Sequence, residues 1–222
     1  MKKIKFPVWR EAWRQSKQAM SEHSRFVWLG SILLLLCMLY PSNLDAYKQN
    51  PPIESVGAWL SEVSNTPRES MNPLLKESIQ WVEDQGRFIP TVAQVLVPLL
   101  ALDKIGGAQL LILGVTTTTA THVFKRLFND VEVAGTVVGQ RPKGGQHNVP
   151  SGHSSMAASA LGFLWRRYGV FHIYYVLPLV LATMATRVFL SAHTISAVLA
   201  GALLGFMVAY VMTSPRQAVK PA

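Results

Sequence analysis

Two short stretches carry the residues best suited to chemistry. The first runs Arg141-Pro142-Lys143-Gly144-Gly145-Gln146-His147-Asn148-Val149-Pro150-Ser151-Gly152-His153-Ser154-Ser155; the second is Arg187-Val188-Phe189-Leu190-Ser191-Ala192-His193. The first opens as a turn-rich loop and runs into an apolar helix that Ser151 or Ser154 is placed to cap. A helix start offers unpaired amides and the positive end of a dipole, which together hold an oxyanion. Arg141 adds a planar fork for phosphate oxygens, and Gly144, Gly145 and Gly152 let backbone come close. Two histidines and two arginines are what phosphoryl transfer without a metal requires. One imidazole attacks phosphorus, the other protonates the departing oxygen, and the guanidiniums stabilise charge on the equatorial oxygens.

The elements that must position these groups are apolar. Runs at roughly 26 to 42, 88 to 102, 106 to 124, 152 to 165, 170 to 190 and 194 to 213 each approach the ~20 residues needed to cross ~30 Å of hydrocarbon. Asp103, Lys104 and Gly106-Gly107 split the second from the third, and Arg166, Arg167 and Tyr168-Gly169 close the fourth, as in hairpins. The expected fold is all-α, one polytopic six-helix transmembrane bundle over residues 1–222. Lysine and arginine are retained on the cytoplasmic side of a span. With the basic segment 1–25 inside, six crossings place Lys104, Arg166, Arg167, Arg216 and Lys220 inside as well. The net acidic segment 43–87, the loop 125–151 and the turn Arg187 to His193 then fall on the outer, periplasmic face of an inner membrane.

Half of the 222 residues are apolar, and the formal charge is +9. The basic residues gather at the ends of apolar runs and form no stripe interleaved with aromatics, which argues against nucleic acid as partner and for a bilayer. Cys37 is the single cysteine, so a disulfide framework or a cysteine metal site is excluded. The segment before Phe26 is too long and too charged for the n-region of a cleaved leader and is expected to be retained. Phe6, Trp9, Trp13 and Met20 recur there at near-helical spacing, either as a helix lying on anionic headgroups or as ordinary packing. Val56, Trp59, Leu60 and Val63, then Leu74, Leu75, Ile79 and Val82, predict two amphipathic helices over the outer face, shaping a headgroup pocket or simply capping the bundle.

At its two chemical stretches the chain resembles the type 2 phosphatidic acid phosphatase family, whose motifs are written K-x6-R-P, P-S-G-H and S-R-x5-H-x3-D. The resemblance covers residues 120–205. Pro150-Ser151-Gly152-His153 matches the second motif in full, Arg141-Pro142 ends the first, and Arg187 with His193 keeps the spacing of the third. The resemblance implies a membrane lipid phosphate as substrate, no cofactor and no metal. It makes His193 the nucleophile that becomes a phosphohistidine and His153 the general acid, while Arg141, Arg187, Ser151 and the Gly152 amide hold the phosphate. Among substrates it points first to the 1-phosphate of lipid A, then phosphatidylglycerol phosphate, undecaprenyl diphosphate and phosphatidate.

Three positions depart from the family pattern. The first-motif lysine is replaced by Ala134, with Lys125 and Lys143 as candidate substitutes, and Thr186 takes the serine position of the third motif. More seriously, Ala197 stands four residues after His193, where the family places the aspartate that orients the nucleophile. No Asp or Glu follows Glu132, so a replacement carboxylate must come from Asp130, Glu132 or the segment 43–87. In the serine-protease template, spoiling the carboxylate behind a catalytic histidine lowers turnover about 10⁴-fold. Ala197 is therefore read as an engineered Asp-to-Ala change made to trap ligand, the native enzyme being active, or as a mark of natural degeneracy.

The rival functions are a phosphotransferase that discharges the phosphohistidine onto another lipid, and a catalytically silent lipid-phosphate binder. A zinc site built from His147, His153 and His193 is disfavoured, because the loop lacks a carboxylate to support the ligands. His122 is assigned to packing or interhelical hydrogen bonding, and the run Thr116 to Thr119 to bonding back onto helix carbonyls.

Overall fold

The computed structural model describes residues 7–41 and 72–216. Eight α-helices are found among them: α1 (Pro7–Glu22), α2 (Ser24–Leu39), α3 (Pro73–Asp84), α4 (Ile89–Leu100), α5 (Lys104–Leu127), α6 (Gly152–Tyr168), α7 (Ile173–Phe189) and α8 (Ile195–Met212). Helices α2 and α4 to α8 fall on the six apolar runs. Among the described residues, however, only Val170–Phe189 and Ile195–Met212 each suffice by length and composition to cross a membrane, and a third span results if α1 and α2, bent by 75°, count as one. The others fall short for a physical reason. Helices α4 and α6 are 12 and 17 residues long, and α5 carries a threonine run and a basic end; Thr117, Ser154, Ser155, Ser159 and Arg167 are turned inward.

The predicted amphipathic segments divide. In α1 the inward stripe is small and polar, Ala12, Gln15, Ser16 and Ala19, while Trp9, Trp13 and Met20 face outward. Helix α3 covers the second predicted outer helix: Asn72 accepts the Leu74 N–H at 2.9 Å, Pro73 supplies the fixed φ of a first turn, and Ile79 is buried. Phe6 and the segment from Val56 to Val63 lie outside the described residues.

Among the described residues the one β element is a short antiparallel ribbon in the loop after α5, β1 (Glu132–Val133) paired with β2 (Thr136–Val137). Ala134 and Gly135, both with positive φ, make its turn. Ala134 is where the family pattern puts lysine.

Helix α6 is the central element, with Ala157, Ala160, Phe163 and Leu164 fully buried. Helix α8 packs against it at backbone contact. A methyl group on Gly201 would collide with the Ser151 carbonyl, and one on Gly205 with the Ser155 carbonyl. Small residues let two helix backbones approach in this way, and the approach holds the start of α8 against the start of α6.

The two ends of the bundle differ. At one, the buried Arg167 guanidinium bonds Asp103 at 2.6 and 2.8 Å and the Ser214 carbonyl at 2.9 Å, and Tyr168 donates to Asp103 at 2.9 Å. Asp103 also accepts the Gly106 N–H at 2.9 Å, capping α5. At the other end the last turns of α3, α5 and α7 meet the first turns of α4, α6 and α8. The sequence stretches singled out for chemistry all arrive there.

Candidate active site

A tight turn after α7 builds the third-motif segment. Arg187 lies in the last turn of the helix, and its carbonyl accepts the N–H groups of both Ala192 and His193, at 3.0 and 3.2 Å, with Ser191 in the left-handed region. Arginine and histidine are thus folded back beside each other. His193 is 3% exposed, and its Nδ1 lies 2.8 Å from the Asn148 carbonyl. A carbonyl can only accept, so the ring proton sits on Nδ1 and Nε2 keeps its lone pair. Burial first, then the charges of Lys125, Arg141 and Arg187, push the His193 imidazole down to about 3. It is therefore neutral at physiological pH.

The second-motif segment is held by main chain. Ser151 occupies the N-cap position of α6, but its side chain makes no capping bond, contrary to the expectation for Ser151 or Ser154. Its N–H donates instead to the Ala197 carbonyl at 2.8 Å, and its hydroxyl accepts from Ser154 at 3.0 Å. The two serines bond each other because both are buried side by side. Gly152 begins the helix and His153 follows it, half-buried, with Arg187, Arg87, Glu83 and Lys125 as its charged neighbours. The first-turn amides of α6 have no acceptor within their own helix.

Cations converge on this end. The Nε atoms of Arg87, Arg141 and Arg187 are buried and have no partner among the described residues. Burial and the Arg187 charge hold the Arg141 guanidinium below the usual arginine range. Lys125 donates to the His147 carbonyl at 2.8 Å, and its charge reaches both imidazoles. Lys143 lies exposed on the turn Arg141 to Gly145. Of the two candidate substitutes for the first-motif lysine, only Lys125 is brought to the histidines.

Three residues at the site were not singled out from sequence. Glu83, from α3, accepts from Arg187 Nη1 and from Arg87 at 2.7 Å. It belongs to the outer segment named as a source of carboxylate, yet it meets an arginine and not His193. The i, i+4 pair Glu83 and Arg87 just before an apolar helix was the available signal. Asn148 had no such signal: its side chain joins segments far apart in sequence. Nδ2 donates to the Val138 carbonyl at 3.1 Å and to Thr194 Oγ1 at 3.0 Å, and Oδ1 accepts the Thr194 N–H at 3.1 Å.

Ala197 is fully buried, among Leu34, Met38, Val149, Ala200 and Leu204. The His147 N–H donates to Asn129 Oδ1 at 3.1 Å. His122, expected to pack or to hydrogen-bond between helices, is exposed on α5, one position off the buried line through Leu113, Thr117 and Thr121. Thr116 does bond back, to the Ile112 carbonyl at 2.9 Å.

Two imidazoles, a ring of cations and a helix start at one end of an apolar bundle define a phosphate-handling membrane enzyme. Residues 107–220 match the PAP2 superfamily, so the chain belongs to that family and is a lipid phosphate phosphatase. It is 40% identical over 151 residues to a lipid A 1-phosphatase of Helicobacter pylori strain 26695, covering 68% of this chain and 80% of the relative. The lipid A 1-phosphatase of strain J99 is 41% identical over 150 residues, covering 68% and 77%. A lipid A 4'-phosphatase of strain J99 is 30% identical over 159 residues, covering 70% and 78%. No solved structure gives a significant match.

Proposed function

We propose that the chain removes the 1-phosphate of lipid A through a phosphohistidine on His193. The observation that carries the chemistry is the neutral His193 ring, with Nδ1 bonded to the Asn148 carbonyl and the charges of Lys125, Arg141 and Arg187 around it. The Nε2 lone pair attacks phosphorus while the bond to the lipid oxygen breaks, and His153 delivers its proton to that oxygen. Water then attacks the phosphorus of the phosphohistidine, His153 takes the water proton, and the N–P bond breaks to release phosphate. Arg141, Arg187, Lys125, Ser151 and the Gly152 amide hold the equatorial oxygens. Lys143 is left without a part in this scheme. The higher identity to the 1-phosphatases than to the 4'-phosphatase supports the choice of phosphate.

The setting is a single domain over residues 1–222, with six spans in the inner membrane of a bacterium, both termini cytoplasmic and the site periplasmic. Lys104, Arg166, Arg167 and Arg216 lie at the end of the bundle away from the histidines, as cytoplasmic retention of basic residues requires. The outward Trp9, Trp13 and Met20 suit a helix α1 lying in the headgroup layer.

The test is a panel of purified lipid phosphates presented to the purified chain beside His193→Ala. Free phosphate from lipid A 1-phosphate, absent with His193→Ala, is the expected result. Label transferred to a second lipid in place of water supports the phosphotransferase. Lipid-phosphate binding without release from any substrate supports the silent binder suggested by Ala197.

A further inference from the structure

We infer that Asn148 positions the nucleophile, its main-chain carbonyl doing for His193 what a carboxylate at position 197 would otherwise do. This role rests on His193 being the attacking group. The Nδ1 to carbonyl distance is 2.8 Å, and Asn148 and His193 are 1% and 3% exposed, so water does not compete for the bond. The bond fixes one tautomer and one ring orientation, which are the two things a nucleophilic imidazole needs from its partner.

The carbonyl is itself rigidly held. Asn148 donates its own N–H to the Gly139 carbonyl at 2.8 Å. Its side chain then spends its amide on Val138 and Thr194, as described above, and so ties the ribbon segment and the cap of α8 to the residue that faces the imidazole. Thr194 in turn caps α8 by accepting the Ala197 N–H at 3.3 Å. One asparagine therefore sets the distance between the loop before His153 and the turn that carries His193. The place of the missing aspartate is otherwise occupied: the Ala197 side chain is enclosed by apolar groups and its carbonyl takes the Ser151 N–H. A carboxylate there would enter the buried apolar cluster that holds Leu34, Met38 and Val149, at a desolvation cost.

The test reads the tautomer of His193 by ¹⁵N chemical shifts of histidine-labelled protein in nanodiscs, and pairs it with kinetics. In the unmodified chain His193 is expected as the Nδ1–H tautomer throughout the neutral range. In Asn148→Ala it becomes a mixture of tautomers, with kcat down on the order of 10²–10⁴-fold and KM little changed, on the scale that loss of tautomer control carries in the serine-protease template. An Nε2–H tautomer in the unmodified chain overturns the inference. So does an Asn148→Ala chain that loses turnover while keeping a pure Nδ1–H ring, since that is a structural effect only. Ala197→Asp is the second variant, and it is expected to raise kcat by no more than about threefold; a rise approaching the ~10⁴ of a restored orienting carboxylate overturns the role of Asn148. A pure Nδ1–H ring in an active chain that never forms a phosphohistidine overturns the nucleophile reading, and this role with it.

Discussion

Ser151 donates its main-chain N–H to the Ala197 carbonyl across 2.8 Å, so the residue before His153's helix is tied directly to the first turn of the helix after His193. Neither side chain takes part. The two motif segments are held together by backbone, and the contact exists because Gly201 leaves room for the Ser151 carbonyl.

Gly201→Ala is accordingly expected to push α8 off α6 and separate the histidines. Overpacking of this kind costs about 1–3 kcal/mol, and turnover should fall further than stability alone explains. Gly114→Ala is the control, since a methyl there meets nothing within 4 Å; a helix-interior glycine replaced in open space should gain about 0.5–1 kcal/mol. Thermal unfolding in detergent alongside phosphate release separates the two. Equal behaviour of the variants would refute the close-packing argument.

His193 should make the fold acid-sensitive. Its folded value, about 3, lies below the ordinary 6.5, so the unfolded chain binds the proton more readily between those limits. Stability contributed by the neutral ring is complete above pH 6.5 and drains away as pH falls toward 3. His193→Gln lacks the titrating group and should lose less melting temperature over that window. A parallel decline in both proteins would show that other groups govern the acid limb.

The two lysines are expected to separate cleanly. Lys125→Met removes a cation that reaches both imidazoles and should lower kcat/KM about 10²–10³-fold, the scale of losing one charge-stabilising donor. Lys143→Met, on an exposed turn, should leave it unchanged. The reverse ranking would move the first-motif function to Lys143.

Glu83 places a carboxylate on the guanidinium of Arg187, where a phosphate oxygen would bind. Removing that negative charge in Glu83→Gln should tighten inhibition by inorganic phosphate several-fold, because bound phosphate no longer faces a like charge. Weaker phosphate inhibition would mean that Glu83 supports the Arg187 geometry and does not compete with the ligand.

Much of this was legible in the amino-acid sequence. Apolar runs bounded by Gly106-Gly107 or Tyr168-Gly169 located six helices, and a four-residue match, the Arg141-Pro142 end of the first motif and the spacing of Arg187 to His193 pointed to segments that the fold brings to one end of the bundle. What stayed hidden depends on contacts between distant residues. Asn148 looks like an ordinary turn residue until the fold sets it against Thr194 and His193. Glu83, at the end of α3, and Arg87, just after it, are four residues apart in sequence, and nothing in that spacing shows that α7 brings Arg187 to Glu83. Ala197 read as a loss because spacing shows where a carboxylate is missing, while the carbonyl that meets the imidazole belongs to another part of the chain.

The most direct measurement is chemical trapping of the phosphoenzyme. The purified chain is mixed with lipid A carrying ³²P in its 1-phosphate, quenched in alkali, digested, and the labelled peptide mapped. An acid-labile, alkali-stable label on the peptide containing His193, lost in His193→Ala and retained in Lys143→Met, is the predicted result. Steady release of phosphate with no labelled histidine, or with label on His153, would contradict the account.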